Sequence, residues 1–353
     1  MIWTTNSFLI KTQPVPENPY FRQAYDFMIS WLAGTEKFTL HTSGSTGTPK
    51  DIVIERAQLR SSAWMTGEAL NLQNGTRALV CLNVNYIAGI MMLVRGMELG
   101  WELSIVEPSA NPLLEFQIPD FDFVSMVPLQ LLTCLSNDKT KSQVDRIGKI
   151  LLGGAPIHIS LQKQIDHLNA SVYHSYGMTE TVSHVALKKL NNPKFEDDYT
   201  VLPGVKFGVD GRGCIFLQGT VTNNEKVQTN DLVEITSKNT FNWLGRVDNV
   251  INSGGVKVVL DKVDEVIAEV FYESGYSNNF FSWYENDQIL GQKLILIVQK
   301  NDHDLSVLDV LKEIRKRISA YQIPKHVYFV EEFIKTPTGK IDKRKTAYEL
   351  LNR

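Results

Sequence analysis

The stretch Arg77-Ala-Leu-Val-Cys-Leu82, followed by Ile87 to Leu99 and then Leu103-Ser-Ile-Val106, decides the fold class. The first piece is a short apolar run of buried-strand length. The second is a longer apolar run stopped by Gly100, which reads as a helix. The third returns to strand length. A strand, a helix and a second strand in about thirty residues make a βαβ unit, which needs a parallel pair. Working outward, strands are expected at Phe121–Val127, at a segment ending at Leu152, and at Ala170–His174. Helices are expected near Leu129–Leu135 and Leu161–Leu168. Upstream, Asn18-Pro19 opens a helical pattern carrying Phe21, Tyr25, Met28 and Trp31, closed by Gly34.

From Gly204 to Leu244 the pattern changes to short strands with Gly and Asn turns, expected to be antiparallel. A break falls at Gly245-Arg246-Val247-Asp248. Beyond it a helix (Asp261–Tyr272), a strand (Leu294–Gln299), a helix (Leu305–Ser319) and a strand (Val327–Val330) form an α+β unit of about a hundred residues, a normal domain size. The expected architecture is α/β: a large N-terminal domain with mixed sheets over residues 1–246, and a small mobile α+β domain over residues 247–353. No repeats or low-complexity tracts interrupt it.

Composition narrows the class. The 353 residues are 43% hydrophobic and 21% charged, with a net charge of −3. That balance gives no electrostatic case for nucleic acid or an anionic membrane. Cys81, Cys134 and Cys214 are far apart and form no C-x-x-C pair, so neither a metal site nor a disulfide framework is indicated. The longest apolar stretch, Tyr86 to Val94, ends at Arg95 and is too short to span a bilayer. No secretory signal is evident, and a cytoplasmic, reducing location is expected.

Five segments carry chemistry. In Thr42-Ser-Gly-Ser-Thr-Gly-Thr-Pro-Lys50, Gly44 and Gly47 let the backbone turn its N–H groups toward an anion, Ser43, Ser45, Thr46 and Thr48 add hydroxyls, and Lys50 adds a cation. The set suits a triphosphate but lacks the Gly-Lys-Ser/Thr ending of a Walker loop. A solvated Gly/Ser/Thr turn is the plain alternative. In Ser175-Tyr-Gly-Met-Thr-Glu180, Glu180 lies just past a strand end, where α/β sheets bind ligands, and could hold Mg²⁺. Tyr176 could stack on a base. The alternative is a helix opening capped by Thr179. Leu151-Leu-Gly-Gly-Ala-Pro156 offers small residues against which a flat ring could lie, or a simple strand-to-helix turn.

In the fourth segment, Asp231 could accept hydrogen bonds from ribose hydroxyls and Arg246 could reach ribose or phosphate, unless both are ordinary surface residues in turns. In the fifth, Thr336-Pro-Thr-Gly-Lys340 frames a loop lysine that could neutralise a developing anion or simply be solvated.

Together, from about Phe38 to Arg344, the order and spacing of these segments resemble the adenylate-forming superfamily of acyl-CoA synthetases, carrier-loading adenylation domains and luciferases. The resemblance implies activation of a small carboxylic acid by ATP and Mg²⁺, with coenzyme A as the thiol. It assigns Thr42 to Lys50, with Thr46, to the ATP phosphates. Gly153, Gly154, Ala155, Pro156 and Tyr176, with Gly177 and Thr179, go to the nucleotide, and Glu180 to magnesium. Asp231 and Arg246 contact the ribose side, and Asp248 is the hinge. Lys340 is the lysine of adenylate formation, and a Gly254-Gly255 strand lines the pantetheine tunnel.

Ser175 to His184 is most similar to the o-succinylbenzoate–CoA ligases of menaquinone synthesis. On that likeness Tyr86, Met178, Thr181 and His184 line an aromatic acid pocket, with His184 a polar or cationic partner of the ring carboxylate. Two departures stand out. The chain is shorter than typical members, as if much of the N-terminal subdomain were missing. Tyr86 stands where many relatives have histidine or phenylalanine. Alternatives are another aryl or short-chain acid–CoA ligase, a carrier-loading enzyme, and a non-catalytic nucleotide-binding regulatory protein. Oligomeric state is left open.

Overall fold

The structure is a computed structural model that describes residues 1–41, 51–117, 120–191, 196–301, 306–336 and 341–352. Among these, a twelve-stranded mixed sheet organises the first two-thirds of the chain. Its centre is parallel, in the order Glu102–Val106, Arg77–Val80, Phe123–Met126, Lys149–Leu152, Ser171–Gly177. The chain starts this section at Arg77–Val80, steps to one side, then crosses to the other. The order therefore reverses between Arg77–Val80 and Phe123–Met126, a switch point of the kind at which open α/β sheets bind ligands.

Strand faces alternate as a period of two demands. Ala78 and Val80 join the core under helices Pro19–Leu32, Arg56–Ala69 and Ile87–Leu99, while Leu79, Val124 and Met126 join the core that takes in Leu131, Val144 and Leu161 from helices Pro128–Leu135, Asp138–Val144 and Ile159–Ile165. The side chain of Asn18 caps Pro19–Leu32 by accepting from the N–H groups of Tyr20 and Phe21, and Pro19 fills a first-turn position that has no N–H to lose.

An antiparallel wing extends the sheet: His184–Lys189, Tyr199–Val201, Thr240–Arg246, Val227–Ile235, Cys214–Gln218 and Lys206–Val209. A separate ribbon pairs Lys37–His41 with Asp51–Glu55 and brings the backbones of His41 and Asp51 into register.

The twelve-stranded sheet ends its chain path at Arg246. A second, five-stranded sheet begins at Val250–Ser253 and continues through Val256–Val259, Phe280–Asp287, Gly291–Gln299 and His326–Val330. Helices Leu260–Glu273 and Val307–Arg315 cover one face, and Lys343–Leu351 packs with Phe281 and Phe333 on the other. The helix expected over Leu305–Ser319 is thus shorter.

The expected Gly254-Gly255 strand is corrected. These residues are the two-residue turn between Val250–Ser253 and Val256–Val259, with Ser253 opposite Val256. Both have positive φ (60° and 82°), the requirement of a tight hairpin turn whose twist matches its strands.

Candidate active site

Thr42 to Lys50, including Thr46, and Lys340 lie outside the described residues. Of the other candidates, most lie at the ends of the parallel strands or along the neighbouring wing, Asp248 in the turn that follows it, and Gly254 and Gly255 in the second sheet. Gly153, Gly154, Ala155 and Pro156 follow Lys149–Leu152 directly. A Cβ at Gly153 would stand 2.5 Å from Ser175 Oγ, so the small residue is needed for strand packing as well as for any ring laid above it. Tyr176 and Gly177 end the next strand, and Thr179–Thr181 form a 3₁₀ turn rather than the opening of a longer helix.

Asp231 and Arg246 are not in turns. They sit directly opposite each other on paired strands. The Tyr176 hydroxyl donates to Asp231 Oδ2 at 2.8 Å, and Arg246 Nη1 lies 3.5 Å from Asp231 Oδ1. Arg246 Nη2 donates to Asp248 Oδ2 at 2.9 Å, and Asn230 donates to the same carboxylate. One chain of polar contacts thus runs from the parallel strands to the junction between the two sheets. Burial, together with the Asp231 charge, pushes the Tyr176 hydroxyl well above its ordinary pKa, so it remains a donor.

Glu180 is exposed and forms no ion pair among the described residues. No group of three or more His, Cys, Asp and Glu converges as a metal cage among them. A lone open carboxylate fits Mg²⁺, which is commonly held by one or two carboxylates and substrate phosphates rather than a protein cage.

The acid-pocket candidates divide. Tyr86 is 45% exposed at the start of helix Ile87–Leu99. Met178 packs against the core. Thr181 is fully buried, with its hydroxyl bonded to Met178 and Ser183 within the loop, so it shapes the loop. Val182, next in line, holds φ 66° and ψ −51°, and Ser183 N–H bonds back to the Thr181 carbonyl at 2.7 Å. This is a γ-turn on a β-branched residue, a strained geometry held in place by its surroundings.

His184 is buried, and burial first, then the Arg95 charge, drive its pKa well below the ordinary value. It is a polar neighbour and not a cation. The Thr66 hydroxyl donates its one proton to the Ser62 carbonyl, so it accepts from both His184 Nε2 (3.1 Å) and Arg95 Nε (3.2 Å). This network assigns the imidazole proton to Nε2 and leaves Nδ1 facing Arg95 Nη2 at 3.5 Å.

Arg95 supplies the cation that sequence reading missed. It is 2% exposed, and burial pushes its pKa down to about 9. Its contacts are Thr66, Ser183, His184 and the Met92 sulfur, with no carboxylate partner among the described residues. The available signal was a single arginine within the apolar run of Ile87–Leu99.

Comparison with known proteins identifies the family. Residues 37–209 match the family model described as AMP-binding enzyme. The solved structure of an acyl-CoA synthetase (AMP-forming)/AMP-acid ligase II-like protein from Dyadobacter fermentans is 59% identical, covering 99% of this chain and 100% of that one, with a TM-score of 0.71. The chain belongs to the AMP-binding enzyme family.

It is an enzyme of the AMP-forming acid–CoA ligase class, which sets aside the reading as a non-catalytic binding protein. The 2-succinylbenzoate–CoA ligase of Staphylococcus epidermidis is 26% identical over 337 residues, 89% of this chain and 70% of that protein. The o-succinylbenzoate coenzyme A synthetase of Bacillus subtilis, in complex with ATP and magnesium ion, shares the fold at 20% identity, with a TM-score of 0.72 over 88% of this chain and 69% of that one. No helix among the described residues is long and apolar enough to cross a membrane.

Proposed function

We propose that this cytoplasmic enzyme converts o-succinylbenzoate, ATP and coenzyme A into o-succinylbenzoyl-CoA, AMP and pyrophosphate. The observation that carries the choice of acid is Arg95. A buried guanidinium with no carboxylate partner among the described residues is costly, and a substrate carboxylate would complete it. An acid with two carboxylates can give one to chemistry and one to recognition. Ser183 and His184, which end the segment most similar to the o-succinylbenzoate enzymes, touch the same guanidinium.

In the first step a substrate carboxylate oxygen bonds to the α-phosphorus of ATP while the bond to the bridging oxygen of pyrophosphate breaks. Thr42 to Lys50, with Thr46, hold the leaving pyrophosphate, and Lys340 offsets charge on the transferring phosphate. Tyr176, Asp231 and Arg246 hold the nucleotide by its base and ribose, beside Gly153 to Pro156, Gly177 and Thr179. Glu180 would hold Mg²⁺, which would supply charge neutralisation of the phosphates.

In the second step residues 247–353 turn about Asp248, carrying Lys340 away and the Gly254-Gly255 turn toward the pantetheine path. The thiol sulfur then bonds to the acyl carbon and AMP leaves with the carboxyl oxygen.

The test is product analysis by mass spectrometry after incubation with o-succinylbenzoate, MgATP and coenzyme A. Equal amounts of thioester and AMP support the proposal. An acid that is adenylated, trapped as its hydroxamate, yet never passed to coenzyme A would reject coenzyme A as the acceptor.

A further inference from the structure

Asp261 lies in the first turn of helix Leu260–Glu273, the first helix after the junction between the two sheets. Its carboxylate reaches back over that junction. Oδ2 accepts the backbone N–H of Arg246 at 2.9 Å, and the two oxygens accept the Asn249 side-chain amide at 3.0 and 3.1 Å. Arg246 ends the last strand of the large sheet, and Asn249 closes the turn Val247–Asn249 that contains Asp248. One carboxylate therefore binds both ends of the connecting turn.

The backbone leaves a seat for it. Gly245 holds φ +140°, and a Cβ there would stand 2.7 Å from Asp261 Oδ2 and 2.7 Å from Val259 Cγ1. An acidic residue in a first helical turn is ordinarily explained by the helix dipole alone, which needs no partner outside the helix. Here both partners are outside it, and one is the backbone of the residue whose guanidinium touches Asp231 and Asp248.

We propose that Asp261 is a positioning residue, a latch that holds residues 250–352 in the orientation seen here and must let go of Arg246 when they turn. This rests on the proposed rotation about Asp248. Release exchanges charge-assisted hydrogen bonds for water, so the latch sets the balance between the orientation that forms adenylate and the one that forms thioester.

The test uses the full chain with spin labels at Lys238→Cys, in the exposed turn before Thr240–Arg246, and at the exposed Ile289→Cys on the other side of the junction. The three native cysteines are buried, which makes labelling selective. Pulsed dipolar spectroscopy reads the inter-label distance without ligand, with MgATP, and with coenzyme A added. The expected result is one dominant distance in the unsubstituted protein and a second population raised about tenfold in Asp261→Ala. Asp261→Asn and Asn249→Ala give intermediate shifts and guard against a folding defect in the alanine variant. In coupled assays the two half-reactions then change in opposite directions.

A latch is overturned if Asp261→Ala and the unsubstituted protein share one distribution while both still respond to ligands. Rotation itself fails if neither protein changes distance under any ligand. A uniform fall of both half-reactions would reduce Asp261 to a structural residue.

Discussion

The Tyr176 hydroxyl donates a 2.8 Å hydrogen bond to Asp231, tying the last parallel strand to the antiparallel wing of the same sheet. Neither partner reaches the other by sequence proximity. The sheet must be assembled before the pair exists, and only then is an acid presented beside an aromatic ring at a strand end.

That pair predicts a nucleotide defect. Asp231→Ala removes a charge-assisted acceptor, and the KM for ATP in pyrophosphate exchange should rise by about tenfold or more. Tyr176→Phe keeps the ring and loses the hydroxyl, so its effect should be smaller. An unchanged KM in Asp231→Ala would remove this carboxylate from nucleotide binding.

Arg95 should serve function more than stability. Removing a buried charge relieves its desolvation cost, while Thr66, Ser183 and His184 lose a donor, so the two effects offset. Arg95→Met is therefore expected to change the Tm little in thermal unfolding, while kcat/KM for o-succinylbenzoate falls by about a hundredfold and that for benzoate changes little. Equal losses on both acids would argue against a carboxylate-recognising arginine.

His174, on the strand that carries Tyr176, gives a pH signature. Burial lowers its pKa from 6.5 to about 4, aided by Lys188 and opposed by a backbone hydrogen bond with Ala155. The Tyr199 hydroxyl and His174 Nδ1 share a hydrogen bond at 2.7 Å. Because the folded pKa is depressed, the unfolded chain binds the extra proton first, and stability is lost as pH falls from about 6.5 toward 4. The expected loss between pH 7.5 and 5 is about 2 kcal/mol from this group, measured by denaturant unfolding at each pH. His174→Gln should flatten that slope, and a slope identical to the unsubstituted protein would assign the acid sensitivity elsewhere.

How much was legible in the sequence depended on whether burial was carried by apolar residues. Ile87–Leu99 and its flanking strands were readable because almost every buried position there is apolar, and the observed helix has the expected bounds. Arg56–Ala69 was not, because its buried face includes Gln58, Ser62, Thr66 and Gly67, which break the apolar period. Phe280–Asp287 was missed because its run of adjacent aromatics shows no alternation.

At the site, motif order identified Tyr176, Asp231, Arg246 and Asp248, which the structure brings into one chain of contacts. It did not reveal that Asp231 and Arg246 are cross-strand partners, since register is set by the whole sheet. Nor did it reveal Arg95, because a cation inside an apolar helix has meaning only once its described neighbours are known to be Thr66, Ser183, His184 and Met92.

ATP–pyrophosphate exchange tests the central claim most directly, with o-succinylbenzoate run beside benzoate, succinate and a medium-chain fatty acid. Exchange that depends on o-succinylbenzoate and Mg²⁺, and that is lost in Lys340→Ala, is the predicted result. Exchange driven by another acid with o-succinylbenzoate inert, or no exchange with any acid in a folded protein, would contradict it.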